Sequence, residues 1–417
     1  MPSVSLGFKV HIPYRLKKFI PGEVGTYNKW FDEQACKEAV NKLSDESYLP
    51  ANKILLSLIK EYKGNFKIAF SFTGTALELL QRHRPDVVKS FKQLADTRCV
   101  EIYSETYYHS LSWLHSKNEF RRQIKKHDDL IKMMFGSEPL VFRNTELIYN
   151  NELAKFIAKL GYKGILCEGL ERILNGRTPN QTYAAPGNSD FGLLLRNVRL
   201  SDDIAFRFDD PTWNEQPLTA DKYAGWLHDQ KENVCNINLF FDYETFGIHK
   251  KESSGIFEFL KHLPFAVLAN EAWKFVTPSE ALENCYPKDI YDVSKTISWE
   301  DKEMVSCVWS ENMMQNNTLR KIYSLENMVL SSTMPGALEW WGSLQTADHF
   351  YYMCNDGRTE NDSYRSLNPF CSGEEAFENY KNAVADFEIK LIQYGLNEIR
   401  NKSSVNSFTK ILSTMIY

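Results

Sequence analysis

No stretch of the sequence is long and apolar enough to cross a bilayer, and the opening "MPSVSLGFKVHIPYRLKKF" lacks the ordered charged, apolar and small-residue regions of a secretory signal. Both absences point to a cytoplasmic protein that is not bound to a membrane. Basic residues show no surplus: 49 Lys and Arg stand against 54 Asp and Glu, a formal net charge of -5. Without a basic footprint, nucleic acid is not an expected partner. The eight cysteines (36, 99, 167, 235, 285, 307, 354 and 371) form no CxxC pair, and several sit in apolar runs such as "GILCEG" and "NVCNINLFF". They read as reduced, mostly buried thiols. Glycine-rich phosphate loops and a G-x-S-x-G elbow are missing too, which removes nucleotide and acyl-serine chemistry.

What is present is a chain of 417 residues, 43% hydrophobic and 13% aromatic, long enough for one large α/β domain with a smaller one appended. Six short apolar runs rich in β-branched and aromatic residues end in polar ones: 8–13, 66–75, 99–110, 139–146, 163–169 and 236–244. Helical patterns lie between them. In "NNELAKFIAKLGYKG", Leu153, Phe156, Ile157 and Leu160 share a face, with Asn at the start and Gly161 at the end. Such alternation predicts parallel βα units closing into a barrel of the TIM type or a relative of it. The segment 171–192, dense in Gly, Pro and Asn, reads as a loop over the barrel mouth. From about residue 285 long helical patterns take over, with Ser298 or Ser372 as candidate caps and Glu375 completing a capping box with Ser372.

Barrel enzymes build their sites at the carboxyl ends of the strands. That rule selects His11, Thr73, Glu105, His109, Glu146, Asp242 and Glu244, the last two read as projecting to one side of an extended chain. Two facing carboxylates, with rings such as Tyr107, Tyr108, Trp113, Tyr149, Trp340 and Trp341 to cover sugar faces, are the minimum equipment for cleaving a glycosidic bond. The same placements suit purely structural work. Glu146 would favour the N-terminus of the next helix, Asp242 or Glu244 would pair with an arginine such as Arg143, and single histidines are more often satisfied core residues. A zinc site built from His11, His109, His249 and Asp242 lacks both a helical HxxxH pair and an Asp-Asp doublet, so no metal or other cofactor is expected.

"FRNTELIYNNELA" around Glu146 and "FFDYETFG" around Asp242 resemble the nucleophile and acid/base regions of glycoside hydrolase family 57, in its α-amylase-like branch. "FKVHIPYRL", "EIYSETYYHSL" and "LQTADHFYYM" resemble it as well, and the similarity runs from about residue 8 to about residue 390. The resemblance implies an incomplete (β/α)7 barrel over 1–285 and a helical C-terminal domain over 286–417 that closes the active site. It further implies a retaining α-glucan hydrolase acting on α-1,4 bonds of a maltodextrin-like substrate, with Glu146 as nucleophile and Asp242 as general acid and base. His11, Glu105, Tyr107, His109, Glu244, His249, Trp341 and Asp348 would contact the substrate. A 4-α-glucanotransferase, a branching enzyme and a glucan-binding protein with little turnover are the alternatives. This chain has Ile12 where the branch has Gln and Ile248 where it usually has Glu.

Overall fold

The computed structural model describes residues 1–414 apart from 20–23, 25–29, 231–233, 301–308 and 355–367, with side chains up to residue 398. Among the described residues ten strands follow in chain order. They are β1 (Ser3–Val10), β2 (Ile68–Phe72), β3 (Val100–Ile102), β4 (Val141–Arg143), β5 (Gly164–Glu168), β6 (Thr182–Ala185), β7 (Asn188–Arg196), β8 (Asn236–Asp242), β9 (Lys274–Phe275) and β10 (Asp289–Ile290). Seven of them pair in parallel in the order β4, β5, β7, β8, β1, β2, β3, and a bridge between Ser104 and Phe142 brings the last back to the first. The result is a nearly closed seven-stranded parallel barrel.

Alternation along each strand sorts the residues into two environments. Val4, Leu6, Phe8 and Val10 of β1 pack outward with Ile237, Leu239 and Phe241 of β8 against the surrounding helices. The inward set is layered. Ser3 and Ser5 hydrogen-bond to the Asn236 side chain at the base. Ala69, Val141, Leu166, Leu194 and Phe240 form an apolar plug above them, and Gly7 leaves the room that the Phe240 ring fills. One alternation step further, Arg143, Glu168, Arg196 and Asp242 end their strands and Lys9 and Ser71 stand one residue before the ends of theirs, and this largely charged layer covers the plug.

The segment 171–192 is not a loop over the mouth. It contains a helical turn at Glu171–Leu174, all of β6 and the start of β7, which pairs antiparallel to β6. Pro186 and Gly187, the latter at φ 73°, are the hairpin turn, so residues that read as loop are the punctuation of a strand pair. β7 is thereby the seventh barrel strand, which the six apolar runs do not include.

The helix Asn151–Lys159 begins as expected, with the Asn150 side chain accepting from Leu153 N–H. Further on, Asn312 rather than Ser298 caps the helix Met313–Ser324, in a reciprocal box with Gln315. Ser372 does accept the Glu375 N–H at 3.1 Å, ahead of the long helix Gly373–Thr414. Barrel residues Phe142, Ile165 and Leu195 share one apolar core with Trp341, Phe350 and Phe387 of these helices. The helical region therefore docks directly on the β4–β5–β7 side of the barrel.

One cysteine expectation is corrected. Cys235 and Cys285 form a disulfide, Cα atoms 6.0 Å apart, joining the entry to β8 to the end of the helix Pro278–Asn284. A spacing of 50 residues carries no motif, and pairing cannot be deduced from sequence alone. Cys36, Cys99 and Cys167 are free and buried as expected, Cys354 is half-buried and Cys371 exposed; Cys307 lies outside the described residues. No described helix is long and apolar enough to cross a membrane.

Candidate active site

Register sets the centre of the site. Lys9 of β1 lies directly beside Asp242 of β8 in the ladder, and both point into the barrel mouth. The Lys9 ammonium is 2.9 Å from Asp242 Oδ1 and 3.4 Å from Glu146 Oε1, so one buried cation faces both carboxylates. Burial alone would lower the Lys9 pKa, but Asp242 and Glu146 outweigh it and hold the ammonium above its ordinary range. Arg143, the arginine expected to pair with Asp242 or Glu244, instead donates to Glu105 at 3.1 Å.

Glu146 sits just beyond β4 in a left-handed conformation at φ 53°, and His109 is held the same way at φ 52°. Non-glycine residues there cost on the order of 1–3 kcal/mol each, and such strain gathers where side-chain direction matters. The Glu146 carboxylate is enclosed: Oε1 meets His109 Nε2 and Lys9, and Oε2 accepts the Trp299 indole N–H at 2.7 Å. Burial would raise its pKa, yet the charges of Lys9 and His109 drive it well below the carboxylate range. His109 is raised in turn. Burial opposes its proton, but Glu146 on one ring nitrogen and Glu105 on the other favour it.

A second line of contacts runs from β1 to the helical region. His11 stacks on His109 with ring centroids 4.1 Å apart, and its Nε2 lies 2.8 Å from Asp348 Oδ2. Burial lowers the His11 pKa, so the ring is neutral: Nε2–H donates to Asp348 and Nδ1 accepts from the Thr73 hydroxyl at 3.1 Å. Glu105 lies behind His109, fully buried, accepting from Ser71 and Arg143, its pKa brought down to about 2 against burial by His109 and Arg143.

Several expected contact residues lie elsewhere. The chain leaves β8 through a 3-10 turn, Tyr243–Thr245, which swings Glu244 away from Asp242's side. The Glu244 carboxyl is buried against the Tyr48 hydroxyl, and burial together with the Asp242 charge pushes it up to about 8. The Trp341 indole is buried in the helical core, donating to the Ile322 carbonyl at 2.8 Å. Trp113 and Tyr149 are core residues too. Tyr107 packs on Gly74, and its hydroxyl, like that of Tyr14, donates to Glu78. That carboxylate borders a cleft of about 890 Å³ lined by Trp30, Phe31, Tyr108 and Trp340, and neither Glu146 nor Asp242 lines it. His249 is half-buried on the loop after Asp242, its N–H donating to the Glu244 carbonyl at 3.0 Å.

Sequence reasoning passed over Lys9, Trp299, Glu168 and Arg196. Lys9 stands two residues before His11 on the same strand face, a placement that becomes informative only once the sheet is known to close. Glu168 and Arg196 form a buried pair at 2.9 Å at the ends of β5 and β7, and Arg196 lies on the Trp299 face opposite a barrel-wall carbonyl that it also binds, that of Phe240. Trp299 falls at the start of the helical pattern expected after Ser298, and nothing in "TISWEDK" marks it as a residue of the site.

The nearly closed parallel barrel thus carries a carboxylate pair at the carboxyl end of its strands. The comparisons agree on the family. The model of glycosyl hydrolase family 57 matches residues 5–294, and the chain belongs to that family. A Methanocaldococcus jannaschii protein named "Putative alpha-amylase" is 37% identical over 412 residues, covering 96% of this chain and 86% of that one. Among solved structures, a branching enzyme of the family from Thermococcus kodakaraensis superposes with a TM-score of 0.66 at 16% identity, over 94% of this chain and 91% of its own. The 4-α-glucanotransferase of Thermococcus litoralis gives the same TM-score of 0.66 at 16% identity over 92% of this chain, which spans 59% of that longer protein.

Proposed function

We propose that this protein is a retaining α-glucan hydrolase that cleaves α-1,4 bonds, with Glu146 as nucleophile and Asp242 as general acid and then general base. The observation that carries the reading is the pair of carboxylates on one ammonium. Their Lys9-facing oxygens lie at most 6.3 Å apart, a bound that accommodates the separation of about 5–5.5 Å of a retaining pair. Glu146, enclosed by Lys9, His109 and Trp299, is kept ionised, as a nucleophile must be. Asp242 keeps 13% of its side chain exposed and turns Oδ1 to Lys9, which leaves Oδ2 as the oxygen to meet a leaving glycosidic oxygen. In the protonated form of Asp242, attack by Glu146 on the anomeric carbon breaks the glycosidic bond while Asp242 passes that proton to the departing oxygen and becomes the carboxylate that Lys9 pairs with. Water, deprotonated by Asp242, then releases the sugar from Glu146 with net retention.

The substrate class rests on the α-amylase-named relative, 37% identical across nearly the whole chain. Incubation with an activated fluoro-sugar followed by peptide mass spectrometry tests the reading: a label on Glu146 is expected. Maltodextrin should yield reducing ends, and Glu146→Gln should abolish them. A wild-type protein that neither takes the label nor cleaves any α-glucan ends the proposal. Longer oligosaccharides from maltotriose, in place of glucose and maltose, would make the protein a transferase.

A further inference from the structure

A lysine pointing into a barrel is expensive unless it is paired, and Lys9 is 4% exposed. We propose that Lys9 is the positioning residue of the carboxylate pair: its ammonium ties Asp242 to Glu146 across the barrel mouth and keeps Glu146 in its ionised form. The inference rests on the reading of these two carboxyls as acid/base and nucleophile.

Three observations carry it. The ladder register fixes Lys9 as the neighbour of Asp242, so the contact follows from strand pairing and not from a side chain wandering on the surface. The ammonium reaches across the mouth to Glu146 at the end of a different strand, 137 residues away in sequence. Finally, the Trp299 ring lies 4.6 Å from the ammonium while its N–H holds the other Glu146 oxygen, so cation and nucleophile are gripped by the same indole.

The other charged groups around Lys9 do not duplicate it. Arg143 on β4 donates to Glu105 and favours the ionised Glu146 less than Lys9 does, and Arg196 on β7 pairs with Glu168 and Asp202. Glu244, past the end of β8, faces Tyr48. His11 on β1 itself is neutral against Asp348. His109, after β3, shares Glu146 Oε1 but loses its proton as pH rises, whereas the Lys9 ammonium does not titrate anywhere near neutrality. Without Lys9, the carboxylate pair would keep one titratable imidazolium in contact with Glu146 and the weaker influence of Arg143.

The test is the pH dependence of kcat/KM, and of fluoro-sugar labelling at Glu146, in wild type, Lys9→Met and Lys9→Arg. Lys9→Met should lower kcat about 100-fold with KM changed little, and should move the acidic limb of both profiles upward by about one pH unit, because Glu146 loses its strongest ionising neighbour. Lys9→Arg, which keeps the charge, should leave the acidic limb within a few tenths of a pH unit of wild type. Should Lys9→Met fail to fold, Lys9→Gln is read the same way. A neutral variant with the wild-type limb and rate overturns the inference while labelling of Glu146 leaves the catalytic reading intact. So does an Arg variant displaced as far as the neutral one. Failure of the wild type itself to label and to cleave removes the catalytic reading, and this inference with it.

Discussion

His11 Nε2 and Asp348 Oδ2 lie 2.8 Å apart, a buried link across 337 residues that fastens the end of the first barrel strand to the helix Ala347–Tyr351. Since His11 stacks on His109 and His109 holds Glu146, the link passes orientation from the helical region to the carboxylate pair. Asp348→Asn keeps the shape and removes the charge. It should lower thermal stability by about 1–2 kcal/mol at pH 7 and kcat/KM about tenfold. Burial works against the Asp348 carboxylate, but His11 outweighs it and holds the pKa below the usual range. The stabilisation is thus present above the unfolded carboxyl's pKa and lost as pH falls through the folded value. Calorimetric scans of wild type and variant should therefore keep their separation down to the ordinary carboxyl range and draw together only as pH falls below it.

Glu244 behaves in the opposite sense. Burial, with the Asp242 charge second, pushes its carboxyl up to about 8, so the folded protein keeps a proton there that the unfolded chain gives up near its ordinary carboxyl value. Its contribution is complete below that unfolded value and drains away as pH rises toward 8. Glu244→Gln accepts from Tyr48 as Glu does and carries no charge to bury. The variant should unfold at a higher temperature than wild type at pH 8 and at nearly the same temperature at pH 5. An equal gap at both pH values would mean that Glu244 ionises normally in the folded protein.

The two glutamates show what the sequence could reveal. Strand ends were readable because parallel barrel strands are covered on both faces and appear as unbroken apolar runs with polar tips. His11, Glu146 and Asp242 stand out on that basis. Glu244 misled because the alternation rule holds only while the chain stays extended, and a 3-10 turn begins immediately after Asp242. Lys9 was hidden for a related reason. In "FKVHIP" a lysine between apolar residues reads as a solvent-facing position, and only closure of the sheet makes that face an interior. β7 was lost to the Pro186–Gly187 turn, which dominated the composition of its surroundings. Trp341 matched an aromatic platform by residue type, yet its indole fills a core, and residue type does not distinguish the two.

Gly247 tests how tightly the loop after Asp242 is fixed. It adopts φ +106°, its N–H donates to the Lys250 carbonyl at 2.9 Å, and a Cβ there would collide with the backbone carbonyl of Glu46. A backbone atom cannot step aside as a side chain can. Gly247→Ala should cost about 3 kcal/mol or more in urea unfolding, from the disfavoured φ and the collision together. Gly225, in the helix Ala220–His228 and with open space around it, is the control: Gly225→Ala should be neutral or stabilising by up to about 1 kcal/mol. Equal effects at the two positions would mean that the loop tolerates displacement.

The Cys235–Cys285 bond closes a loop of 50 residues that includes all of β8, the strand that ends in Asp242. Chain-entropy arguments give such a loop up to about 4 kcal/mol of stabilisation, acting on the unfolded chain. Peptide mapping without reductant should recover the two cysteines linked, and a phosphine reductant should lower the unfolding midpoint. The Cys235→Ser, Cys285→Ser double variant should show the lowered midpoint from the start and no further response to reductant. Catalysis should be spared at room temperature, because the bond lies at the base of β8 and Asp242 at its mouth, a strand length of roughly 20 Å away. A double variant that still responds to reductant as wild type does would assign the effect to other thiols.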